Sequence, residues 1–177
     1  MIKNITELEL DSSYAYVVVE NANSDNNGDV YFYEGYNSIV NLKTGDTEYL
    51  GKEHREYNVC TTKDEVLDLL LKNDIIDKSG LLLLIKSNEG VINKFKISFD
   101  VFDIENEDDL TDATYKENLY NIPISIARAM ENPYNSVRIR TKNDNVVCLN
   151  ASNILYIIAA PLLIRESNIN VYAAFDV

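Results

Sequence analysis

Glycine and proline together supply only nine of the 177 residues, and no long polar low-complexity tract interrupts the chain. Collagen-like, linker and intrinsically disordered architectures are thereby excluded. Histidine occurs once, as His54 within the charged stretch 52–56, so a metal centre or proton relay needing two imidazoles is excluded, and His54 reads as solvated. The two cysteines, Cys60 and Cys148, lie far apart without a CxxC partner. They supply neither a disulfide framework nor a zinc site and are expected to be reduced. The longest apolar run, 154–164, has eleven residues against the ~20 that a spanning helix needs, so no membrane span is expected. The amino-terminal MIKNITELEL has no apolar signal core, and a cytoplasmic or virion-associated location is expected. Neither GxGxxG, GxxxxGK[ST] nor GxSxG occurs, which removes the usual phosphate loops and the nucleophile elbow.

Positive charge is also scarce. Sixteen Lys and Arg face 29 Asp and Glu, for a net charge of -13 and a pI near 4.4. Nucleic-acid and anionic-membrane surfaces depend on cations, so direct nucleic-acid binding is not expected and a basic macromolecule is the easier partner. The imbalance is uneven: residues 1–120 hold 11 Lys and Arg against 25 Asp and Glu, whereas 121–177 hold 5 against 4. Arg128, Arg138, Arg140 and Arg165 all lie in that last third. Either they meet the acidic part of their own chain, or they join copies or different proteins acid face to arginine face. The prominence of Asn, Ile, Lys and Tyr suits an AT-rich coding sequence, as in a low-GC bacterium or its phages.

What is present is an ordinary globular composition, with 46% apolar and 25% charged residues. A single domain over 1–177 is expected, burying roughly 70% of the extended chain's surface. Segments 14–20 and 30–36 are rich in Val, Tyr and Phe and flank Asn27-Gly28, which predicts a hairpin. Tyr31 and Tyr33 share one face of its second strand, either as cross-strand packing or as a tyrosine-rich contact surface. Thr44-Gly45-Asp46 predicts a turn. Thr62-Lys63-Asp64-Glu65 is a capping box, and Val66, Leu67, Leu70 and Leu71 then recur at helical spacing. Ser79-Gly80 is read as a break before a central strand at 81–86. After a turn at 87–90, Phe95, Ile97, Phe99 and Val101 alternate with polar residues, and the two strands should pair. Residues 111–120 suggest one helix, and Pro123 opens another through Met130, ended by Asn132-Pro133. Segments 137–140 and 146–149 form a third hairpin. Residues 150–164 read equally as a helix capped by Asn150 or Ser152 and as a buried strand, and 170–175 as a last strand. The expected class is α+β, a mostly antiparallel sheet built from hairpins with two to four interspersed helices.

Three constellations could carry chemistry. The segment 23–34 resembles the calcium loop of the EF-hand family, which implies cation ligands at Asn23, Asp25, Asn27, Asp29 and Glu34 around Gly28. It departs from that pattern at Asn23, where the family has Asp, and its flanks read as strands, so the same residues also suit a polar hairpin turn. The stretch 100–112 holds seven carboxylates in thirteen residues, among them Asp103, Glu105, Glu107, Asp108 and Asp109. These read as a wet strand end and helix start, as a phosphate-mimicking surface for a basic groove, or as a divalent-metal site. Arg138 and Arg140 share one face of a predicted strand.

No residue set meets a catalytic geometry from sequence. The expectation is therefore a non-catalytic structural or assembly protein acting through protein–protein contacts, of the kind found as a phage capsid, neck or tail component. The alternative is an acidic immunity or anti-defence inhibitor that blocks a basic, nucleic-acid-binding surface. On either reading the expected protein-interface residues are Tyr31, Tyr33, Arg138, Arg140, Asp103, Glu105, Glu107, Asp108 and Asp109. No cofactor, metal or small-molecule ligand is expected.

Overall fold

The computed structural model describes residues 3–4, 16–19, 30–35, 37–49, 58–60, 62–102, 111–131 and 136–165. The chain divides into two compact units, Met1–Ile76 with Leu163–Val177 and Asp77–Leu162, and each is treated by itself. Sheet and helix are mixed in an α+β arrangement, as expected.

In the first unit, β-branched and aromatic residues build a six-stranded sheet. Its strands are β1 (Lys3–Asn4), β2 (Tyr16–Val19), β3 (Val30–Gly35), β4 (Ser38–Asn41), β5 (Thr47–Tyr49) and β6 (Asn58–Cys60), in the order β1-β6-β2-β3-β4-β5. Every ladder is antiparallel. The two strands of the predicted first hairpin pair, with Val19 opposite Val30. The predicted turn at Thr44-Gly45-Asp46 also forms. The buried Asn41 side chain builds it, its Oδ1 accepting from the backbone N–H groups of Lys43 at 2.8 Å and Thr44 at 3.1 Å. Gly45 sits at φ +81°, a conformation that favours glycine. Helix α1 (Lys63–Lys72) starts where the capping box places it, the Thr62 hydroxyl accepting from the Glu65 N–H at 3.3 Å. Val66, Leu67, Leu70 and Leu71 are its buried face.

The second unit follows the long strand β7 (Ile76–Ser87) with β8 (Ile92–Ser98), which pair as the predicted hairpin. Here the structure corrects the sequence reading twice. Ser79-Gly80 does not break the strand. Gly80 lies in β7 opposite Ser98, where a Cβ would run into the Ile97 carbonyl oxygen, so the glycine serves close backbone approach. Nor does β8 continue to Val101: residues Phe99–Phe102 form a 3-10 turn that tucks the Phe99 ring edge-on against Tyr115, with centroids 5.6 Å apart.

The two helices read on either side of Pro123 are a single helix, α2 (Asp112–Ala129), capped by Thr111. Tyr115, Leu119, Ile122 and Ile126 recur at spacings of four, three and four along one buried face. Burial of that continuous stripe holds the helix through Pro123, whose missing N–H and ring clash cost about 3 kcal/mol in a helix interior. Strands β9 (Ser136–Arg140) and β10 (Val146–Asn150) form the third predicted hairpin as a separate two-stranded sheet. A 3-10 turn at Ala151–Asn153, capped by Asn150, leads into β11 (Ile154–Leu163), which settles the ambiguous segment as strand. The three-stranded order is β11-β7-β8, so 81–86 is central as predicted. Asn132-Pro133 and the predicted strand 170–175 lie outside the described residues.

Candidate interaction surfaces

The expected tyrosine surface is core in this structure. Tyr31 and Tyr33 retain 3% and 2% exposure, and Val30 and Phe32 on the opposite parity of β3 are equally buried. Both faces of the strand are covered, so any contact surface here is carried by other residues. Asn23, Asp25, Asn27 and Asp29 lie outside the described residues, as do Asp103, Glu105, Glu107, Asp108 and Asp109, while only the backbone of Glu34 is described. What can be placed of the calcium-loop segment is its flanks. They are β2 and β3, antiparallel strands, where an EF-hand would have helices.

The arginines behave in two ways. On the β9–β10 hairpin, Val137, Ile139, Val147 and Leu149 form the inner face, and Ser136, Arg138, Arg140, Val146, Cys148 and Asn150 the outer one. Arg140 reaches Asp100 at 3.5 Å, with both side chains about half exposed. A pair so solvated contributes about 0–1 kcal/mol. Arg138 has no ion-pair or hydrogen-bond partner among the described residues. In the first unit, Arg165 donates from Nη1 to the Lys43 carbonyl at 3.2 Å, bracing the turn that contains Gly45.

Sequence reasoning missed a polar cluster in the second unit. Lys142 Nζ lies 3.0 Å from Asp77 Oδ2 and 3.2 Å from Ser79 Oγ, and Asp77 Oδ1 accepts from both the N–H and the hydroxyl of Ser79. A serine beside a lysine invites comparison with a nucleophile and its base. That chemistry needs a neutral amine, whereas this one is ion-paired to a carboxylate. Burial pushes the Asp77 carboxyl up, but hydrogen bonds from Ser79 and Lys142 and the lysine charge outweigh it and hold the group below its ordinary value. The cluster is a clip fastening the β9–β10 turn to β7, reinforced by the Lys142 N–H donating to the Lys96 carbonyl at 2.9 Å. No spacing in the sequence links positions 77, 79 and 142.

The thiols differ. Cys60 is buried, and burial, with the Glu65 charge acting in the same direction, pushes it up to about 12. Cys148 is exposed on the arginine face.

An apolar-lined groove of about 370 Å³ opens in the second unit. One wall is α2 and its C-cap, through Pro123, Ile124, Ala127 and Met130; the other is Ala151 with four consecutive residues of β11, 154–157. Ile124 and Leu155 are 49% and 60% exposed, and Tyr120, one turn before Ile124, is 53% exposed. The ring of Tyr156 lies under Lys86 Nζ, 5.3 Å from its centroid. The groove was hidden in the sequence because it exists only if 150–164 is a strand.

Comparison with protein-family models, with curated proteins and with solved structures finds no match to this chain.

Proposed function

We propose that the protein is a non-catalytic assembly component that works through protein–protein contacts, as capsid, neck or tail parts of a phage virion do. The observation that carries this reading is the apolar groove between α2 and β11, where Ile124 and Leu155 stand about half exposed beside it. Contiguous exposed apolar surface of this kind marks contact sites, since single scattered side chains would not line one concavity. The outer face of β9–β10, with Arg138 uncommitted among the described residues, adds a second, charged surface to the same unit. Light scattering on the purified chain tests the reading: defined oligomers, or a stoichiometric complex with an assembly partner, support it, and a monomer indifferent to every added protein overturns it.

The charge distribution favours a second reading, the acidic inhibitor. The unit Met1–Ile76 with Leu163–Val177 carries seven Lys and Arg against seventeen Asp and Glu, a density suited to a basic surface. A monomer that associates only with a basic, nucleic-acid-binding protein, and less so as salt rises, selects it.

A further inference from the structure

The groove's β11 wall consists of four residues in succession. Side chains of a strand alternate between faces, so four consecutive positions can border one groove only where the strand's edge fronts it. β11 has a neighbour on one side only among the described residues, namely β7. An occupant must therefore meet main-chain N–H and C=O groups as well as apolar side chains, which an extended polypeptide does and an acyl chain does not.

The two edges of this sheet are unlike. β8 carries Lys94 and Lys96, and its Lys96 carbonyl is taken by the Lys142 N–H. Charge and cover of that sort are how sheets block pairing. β11, with the sequence ILYIIAAPLL, carries no charge and meets a block only at Pro161. Its own sequence supplies a matching partner, because antiparallel pairing about a twofold is self-complementary. The charge balance agrees. Of the net -13, the unit Asp77–Leu162 carries only a small part, with nine Lys and Arg against twelve Asp and Glu, so two such units meeting repel weakly.

We infer that β11 pairs antiparallel with β11 of a second copy over residues 154–160, the partner's side chains filling the groove against Ile124, Ala127 and Met130. This rests on the assembly reading above and names its surface and partner. Sedimentation velocity of the full chain from about 1 to about 200 μM is compared with two variants, Leu155→Lys at the groove and Val146→Lys on the outer face of β9–β10, both at exposed positions. The expected result is a dimer that Leu155→Lys weakens by about tenfold or more and Val146→Lys does not. Hydrogen exchange on the unaltered chain is the parallel measurement, with amide protection across 154–160 rising as concentration rises. An oligomer indifferent to Leu155→Lys, with no such protection, overturns the β11 assignment and leaves the assembly reading standing. A chain monomeric throughout overturns self-pairing and makes a foreign extended segment the occupant; if it also ignores every added protein, both readings fall.

Discussion

The Tyr115 hydroxyl donates to the Gly80 carbonyl at 3.1 Å and accepts from the Leu162 N–H at 3.3 Å, so one fully buried phenol from α2 joins β7 to β11. Burial raises its pKa, the bond from Leu162 opposing, and the group stays a neutral donor. Removing it strands a buried carbonyl and a buried amide together. Tyr115→Phe is expected to cost about 1–3 kcal/mol, read as a lower midpoint in urea with an unchanged slope.

Pro123 acts in the opposite sense. It sits in the interior of α2 without an N–H to give, on a helix already held by its buried face. Pro123→Ala is expected to stabilise the protein by about 1–3 kcal/mol, a gain that thermal unfolding followed by circular dichroism would register; an unchanged or lower midpoint contradicts this account of the helix.

Acid should loosen the second unit at a defined place. Because the Asp77 carboxyl is held below its ordinary value in the folded chain, its contribution is present above the unfolded pKa and is lost as pH falls through the lowered one. Amides of the turn 141–145 are expected to exchange faster than those of α2 as pH is taken from neutral to strongly acidic, once intrinsic exchange is corrected for. Asp77→Asn should show that faster exchange already at neutral pH.

The two thiols should separate by rate. With Cys60 buried and pushed up to about 12, only about one molecule in 10⁴ presents its thiolate at pH 8. Native protein is expected to take up one equivalent of a thiol reagent quickly, at the exposed Cys148, and the second only on unfolding. Rapid titration of both would show that the β6 strand opens readily.

Local chemistry was legible and long-range chemistry was not. The Thr62 cap, the turn at Gly45 and the β9–β10 hairpin each depend on residues a few positions apart, and each appears where the sequence places it. Gly80 misled because a glycine that permits close approach looks the same in one dimension as a glycine that turns the chain. Pro123 misled because the buried face that overrides it spans both of the helices expected from the sequence. Tyr31 and Tyr33 follow the period of a half-exposed strand, yet cover lies over both sides of β3, which no property of the strand itself reveals. The groove and the Asp77, Ser79 and Lys142 clip join residues tens of positions apart, and only the folded chain brings them together.

A three-stranded sheet with one lysine-guarded margin and one margin unpaired among the described strands has a built-in stopping rule. If that margin pairs with its own mate, as inferred above, both outer rims of the enlarged sheet are guarded ones. Growth by this route therefore ends at a pair, and any larger array must be knitted through another surface, for which the outward arginine hairpin is available.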